Sequence, residues 1–158
     1  MAVDTSSMRN STSQPADGLF TLPCACQNLR RAMRVITHIY DEELRKAGIE
    51  ITQFGLLTAL AAVGEANQKR LSTGFAMDST TLTRTLRLMQ RQGWIHTKSG
   101  NDKRERIFRL TPAGRRQLTT AQPNWERAER RLHEKLGDAG WKTMKETVSR
   151  MTEARMTA

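Results

Sequence analysis

The sequence predicts a mainly α-helical chain with one small β-hairpin: a helix, a short turn and a second helix lead directly into the hairpin, and long helices lie at both ends. Three observations carry this. Apolar residues recur every three or four positions toward both termini, the spacing of helices packed lengthwise on one another. The stretch "MDSTTLTRTLRLMQRQGWI" (77–95) places Leu82, Leu86 and Met89 on one side and Thr80, Arg84, Arg87 and Arg91 on the other. At about 100° per residue the second set falls within about 60° of arc, roughly opposite the first. After Gly93, β-formers in "WIHTK" and "ERIFRL" flank a polar Ser-Gly-Asn-Asp turn.

Taken in order, the first helix carries the seam Leu22, Cys26, Leu29, Met33, Ile36 and Tyr40 and stops at Gly48. A second helix, "QFGLLTALAAV", follows Ile51-Thr52; Thr52 is its expected cap, Ile51 is expected to staple onto Leu56, and Gly64 ends it. "NQKRLSTGF" (67–75) is a short helix of weak propensity, because Ser72, Thr73 and Gly74 each lower it. Asp78 or Ser79 caps the amphipathic helix quoted above, and Gly93 terminates it. Thr111-Pro112 restarts helix with a capping hydroxyl and a proline at the first helical position, where its missing amide does no harm. The stripe Leu118, Ala121, Trp125, Ala128, Leu132 and Leu136 then runs on, with a kink expected at Pro123. Asp138 is the expected cap of a last helix bearing Trp141, Met144, Val148 and Met151. A hairpin placed directly after the second helix of a helix-turn-helix makes the unit a winged one.

The organisation follows. Residues 1–20, rich in Ser, Thr, Asp and Pro, are expected to be a flexible arm. Residues 49–111 form the winged helix-turn-helix. Residues 21–48 and 112–156 are terminal helices whose long seams have little else within the chain to bury against, so they are expected to form a dimerisation layer with a second copy. The 158 residues are 37% hydrophobic and 27% charged, somewhat poor in apolar surface for a monomer with a large core. No apolar run is long enough to span a bilayer and the N-terminus does not read as a secretory signal, so a cytoplasmic location without a membrane partner is expected.

Charge points to the partner. Lys and Arg number 26 against 16 Asp and Glu, a formal net charge of +10, and such an excess favours polyanions. Between Ser79 and Gln92 there is no Asp or Glu, so nothing within that helix neutralises Arg84, Arg87 and Arg91. Ser79, Thr80, Thr81 and Thr83 add short donors near its N-terminal end, where helix amides also favour phosphate. A second basic cluster lies along the hairpin: Lys98, Lys103, Arg104, Arg106 and Arg109. Two cationic elements side by side fit double-stranded DNA, the helix entering the major groove and the hairpin tip reaching the sugar-phosphate backbone or the minor groove.

Other chemistry finds little support. His38, His96 and His133 stand apart from one another and from the two cysteines, and no P-loop, dinucleotide fingerprint or nucleophile elbow is present. No catalytic residue, metal or cofactor is assigned. Cys24 and Cys26 would lie about 200° apart if both sat in the first helix, which disfavours a bond within one chain. An inert thiol is expected, with redox sensing by Cys24 or Cys26 as the lesser alternative.

The succession "ITQFGLLTAL", "MDSTTLTRTLRLMQRQGWI", "NDKRERIFRLTPAGR" resembles the MarR family of bacterial winged-helix transcription regulators over nearly all of residues 22–151. The resemblance is most specific at 78–87, at Asp102-Lys103-Arg104, and at Leu110-Thr111-Pro112-Ala113-Gly114. It implies a homodimer presenting one recognition helix to each half of a near-palindromic operator. It also implies that Arg104 enters the minor groove with Asp102 orienting it, and that a small aromatic effector of unknown identity binds nearby. Two positions depart from the family's usual residues: Ser72 after Leu71 where Ala is common, and Ala76 where a glycine usually makes the turn. The function expected is a sequence-specific regulator, a repressor relieved by a small ligand or by cysteine oxidation; the alternatives are a non-specific architectural DNA- or RNA-binding protein and, more remotely, a small enzyme.

Overall fold

The computed structural model describes residues 24–100 and 105–153. The arm at 1–20, the seam position Leu22 and the hairpin-tip residues Asp102, Lys103 and Arg104 lie outside the described residues. In chain order the elements are α1 (Ala25–Leu44), a single 3-10 turn (Arg45–Ala47), α2 (Ile51–Val63), β1 (Glu65–Asn67), α3 (Gln68–Phe75), α4 (Ser79–Arg91), β2 (Ile95–Ser99), β3 (Arg106–Leu110) and α5 (Pro112–Glu153). The helix, turn, helix and hairpin occur where the sequence puts them.

Three local details differ. Glu50, not Thr52, is the extended residue preceding α2: its amide donates to Gln53 Oε1 (3.2 Å) and the Ile51 amide donates to Asp41 Oδ1 (2.8 Å). Asp41 arrives from α1 and satisfies a free amide at the start of α2, so the helix begins ahead of its own hydroxyl residue. The second difference is a third strand. β1 pairs antiparallel with β3 in the register Glu65↔Arg109, Ala66↔Phe108, Asn67↔Ile107, giving the order β1-β3-β2. Three residues carry no period to read, and only the partner strand defines them. Lastly, helical dihedrals persist through Pro123, and the interruption in α5 comes at Gly137 instead, at φ 65 and ψ 169. That conformation is open essentially to glycine alone. Just beyond it, Asp138 Oδ1 lies 2.9 Å from His133 Nε2 across the break, and the His133 ring stacks on Trp141 at 5.0 Å.

The core lies where α2, α4, the sheet and the middle of α5 meet. Leu44, Ile49, Leu56, Leu57, Leu60, Leu82, Leu86 and Met89 are its fully buried large side chains, and Phe54 of α2 stacks on Trp125 of α5 with ring centres 5.9 Å apart. Burial in α1 is confined to its C-terminal part, Ile39 to Leu44, whereas Leu29 and Met33 of the same seam are exposed. The seam thus continues past the end of the core.

A polar hub ties α1 to α5. The buried Glu43 carboxylate accepts from Lys46 Nζ (2.7 Å), Arg127 Nε (3.2 Å) and Arg131 Nη1 (3.0 Å), while its carbonyl accepts from the buried Asn124 amide (2.7 Å). The hydrogen bond from Lys46, followed by those from Arg127 and Arg131, pulls the Glu43 carboxyl from its ordinary 4.5 to about 2 against the opposing effect of burial. Nearby, Tyr40 donates its hydroxyl to Glu129; burial foremost, with that carboxylate's contact, pushes the phenol above its ordinary range.

The exit from the hairpin depends on one close approach. Thr111 Oγ1 donates to the Gly93 carbonyl (2.6 Å) and accepts from the Gly114 amide (3.0 Å), capping α5 as the sequence predicts. This packs Gly114 against the chain after α4, where an added Cβ would stand 2.0 Å from the Trp94 carbonyl oxygen. Gly114→Ala is therefore expected to destabilise the fold by about 3 kcal/mol, read as a lower urea midpoint. In the other direction, Ala76 holds a left-handed conformation at φ 49 in the turn before α4, and Ala76→Gly should stabilise the fold by up to about 1 kcal/mol, read as a higher midpoint.

Glu43 sets an acid dependence. Its folded value of about 2 lies below the ordinary 4.5, so its contribution is present above pH 4.5 and is lost as pH falls from 4.5 through 2. Glu43→Gln should cost about 1–3 kcal/mol at neutral pH and flatten the dependence of Tm on pH over that acid window. An unchanged slope there would remove Glu43 from this role.

Candidate nucleic-acid interface

α4 is set by its cap and by what it buries. Asp78 Oδ1 accepts from the Thr81 amide (2.8 Å). Hydrogen bonds from the Thr81 hydroxyl and then its amide hold the Asp78 carboxyl below its usual value. Leu82, Leu86 and Met89 are buried, as their spacing predicts, and α4 packs on α3, α2 and β2. With that face committed, Ser79, Thr80, Thr81, Arg84, Arg87 and Arg91 are all exposed. Among the described residues no carboxylate pairs with Arg84, Arg87 or Arg91. Thr83 differs from its neighbours. It is half-buried, its hydroxyl donates to the Ser79 carbonyl (2.6 Å) and accepts from Gln68 Nε2 (2.8 Å), and so it fastens α3 to α4.

The arginine face overlooks an open groove of about 590 Å³. Thr81, Arg84, Thr85, Arg87, Leu88 and Arg91 form one wall, and Glu50, Thr52 and Gln53 at the start of α2 form the other. Glu50 is the groove's one carboxylate, and its nearest ion-pair partner is Arg45 at 3.9 Å. The surface that results is concave, cationic and lined with hydroxyls, suited chemically to an anion that presents several oxygens.

The hairpin contributes less free charge than its sequence suggests. Glu65 of β1 reaches over β3 and takes both Lys98 Nζ (2.9 Å) and Arg109 Nε (3.5 Å), which holds its carboxyl below the usual value, the Lys98 hydrogen bond foremost. Of the described hairpin cations, Arg106 is exposed and makes no ion pair with a described residue. Nothing in the sequence marks Glu65 as a partner of Lys98, because the strand that carries it becomes a strand only on pairing. The hairpin itself is anchored by Ile95, Phe108 and Leu110, which are buried, and by Gln90 Nε2 donating to Thr97 Oγ1 (2.5 Å).

Cys24 is the extended residue that precedes α1, at φ -90 and ψ 116, and Cys26 lies in the first turn; both are exposed. The helical spacing assumed for the pair therefore does not apply, and neither thiol has the burial expected of an inert one. His38 meets Glu42 at 3.1 Å on the surface of α1. Among the described residues no group of three or more His, Cys, Asp or Glu side chains is placed to hold a metal ion, and no helix is long and apolar enough to cross a membrane.

The family model described as MarR family matches residues 47–105, the stretch from the end of the 3-10 turn to the second strand of the hairpin. An HTH-type transcriptional regulator of Bacillus subtilis, YwoH, is 29% identical over 83 residues; the match spans 52% of this chain and 61% of that protein's length. The M. tuberculosis transcriptional regulator MosR, solved in complex with DNA, superposes with a TM-score of 0.74 at 30% identity over 85% of this chain and 97% of its own. A mutant MarR of E. coli, solved with operator DNA, shares the fold at a TM-score of 0.71 and 20% identity, over 80% of this chain and 91% of that one. By the family model's match to its winged helix-turn-helix stretch and the likeness to MosR over most of both chains, this chain belongs to the MarR family of transcription regulators.

Proposed function

We propose that the protein is a cytoplasmic homodimer that binds a near-palindromic site in double-stranded DNA and represses transcription until a small ligand relieves it. The observation that carries the DNA reading is the face of α4: three exposed arginines without described acidic partners, on a helix whose opposite face is buried in the core. Arg84 and Arg87, with Ser79, Thr80 and Thr81, read base edges and backbone in the major groove. Arg106 meets the backbone beside it. Lys103 and Arg104 are assigned to DNA from the basic cluster along the hairpin sequence; the minor-groove role of Arg104 and its orientation by Asp102 rest on the family resemblance alone.

A second copy is supported by the ends of the terminal helices. Leu29 and Met33 of α1 and Val148 and Met151 of α5 are each about half exposed, at 49%, 57%, 53% and 55%, on the seams the sequence marks. A dimer joined there sets two α4 helices apart, and binding to one side of B-DNA needs them separated by about one helical turn, roughly 34 Å. A ligand that changes that separation lowers affinity. Relief by oxidation of Cys24 or Cys26 is the second reading; of the two, Cys24 is exposed and lies off the seam given to the second copy.

Selection of bound duplexes from a random-sequence pool, with sedimentation of the free protein, tests this proposal. The expected outcome is a two-fold symmetric consensus and a dimer; a monomer, or recovery of no preferred sequence, overturns it and favours a non-specific binder. On the selected duplex, Arg87→Ala should cost about 1–3 kcal/mol of affinity while leaving the helical signal and Tm unchanged.

A further inference from the structure

We propose that the corner at the start of α3 is a third DNA-contacting element, in which Lys69 and Arg70 take backbone phosphates between α4 and the hairpin. This rests on the DNA-binding reading of α4 and extends its footprint to residues that no sequence motif marks.

Two sets of side-chain bonds fix the corner. Gln68 Nε2 donates to Thr83 Oγ1 (2.8 Å), pinning the first residue of α3 to the turn of α4 that carries Thr80 and Arg84. Asn67, the residue before α3, works in the other direction. Its Oδ1 accepts from the Arg70 amide (2.7 Å) and its Nδ2 donates to Glu105, the residue before Arg106 on β3. The corner is thereby bonded on one side to the arginine helix and on the other to the base of the hairpin.

Lys69 and Arg70 are both exposed there, and neither pairs with a described carboxylate. The acidic groups on the adjoining elements are already engaged. Glu65 of β1 holds Lys98 and Arg109, Glu105 accepts from Asn67, and Asp78 caps α4. A like-charged pair left without local counter-charge repels itself and gains from an external anion. Adjacent residues point about 100° apart on a helix, so the two side chains reach separate phosphates rather than chelating one. Contacts of this kind fix register and add affinity without carrying sequence information.

The test measures affinity against salt concentration for two duplexes of equal length, the site selected by the wild-type protein and a scrambled version. The double variant Lys69→Ala, Arg70→Ala should make the log–log salt slope shallower by about 3.6, two phosphate contacts from each protomer of the dimer at about 0.9 apiece, with equal fractional losses on both duplexes. The charge-retaining exchange Lys69→Arg, Arg70→Lys should restore the slope, which a merely structural role would not do. An unchanged slope with Tm preserved, a loss confined to the selected site, or failure of the exchange to rescue overturns the proposal. Arg87→Ala measured alongside separates the two levels: if it loses affinity while the double variant does not, only the α3 contact falls, and if wild type binds neither duplex, both readings fall.

Discussion

The rotation of α4 about its own axis is the constraint on which the rest depends. Three side chains, Leu82, Leu86 and Met89, are fully buried against α2 and the sheet, each worth about 1.5–3 kcal/mol out of water. Any ion pair available to an exposed arginine is worth at most about 1 kcal/mol. Burial therefore decides which way the helix faces, and the guanidinium groups take whatever direction is left. Because they sit roughly opposite the buried triad, that direction is solvent.

Electrostatics divides the molecule in two. Where α1 meets α5, carboxylates and cations are matched: Glu43 with Lys46, Arg127 and Arg131, and Glu42 with Arg131. These bonds rigidify the scaffold beneath the winged unit. On α4 and the start of α3 no such matching exists among the described residues, so Lys69, Arg70, Arg84, Arg87 and Arg91 are exposed there without a carboxylate partner. The hairpin lies between these extremes, since Glu65 absorbs Lys98 and Arg109 and leaves Arg106.

Small residues fix how the elements join. Gly114 admits the Trp94 carbonyl at a distance no side chain tolerates, which sets the angle at which α5 leaves the hairpin. Gly137 interrupts α5 and turns its last stretch, anchored by the half-buried Trp141 and Met144, away from the first. Ala76 performs a turn that glycine would make without strain. The positions of both α4 and the outer end of α5 thus rest on backbone geometry at single residues.

The sequence by itself determined whatever repeats locally. The 3.6-residue period of α4, the stripes of α1 and α5, the Thr-Pro restart at 111–112 and the absence of acid between Ser79 and Gln92 are all properties of neighbouring residues, and they suffice for the winged fold and its cationic helix. Only the tertiary structure decided matters that depend on residues distant in the chain. Asp41 moved the start of α2 by capping it from α1. Pairing with β3 made a strand of Glu65–Asn67, which in turn consumed two hairpin cations. Thr83 was drawn into a bond with Gln68, and the break in α5 fell at Gly137 rather than Pro123 because a proline leaves helical φ accessible whereas the backbone at 137 lies where only glycine is at ease. A period can be read from one segment; a partner must be brought by the fold.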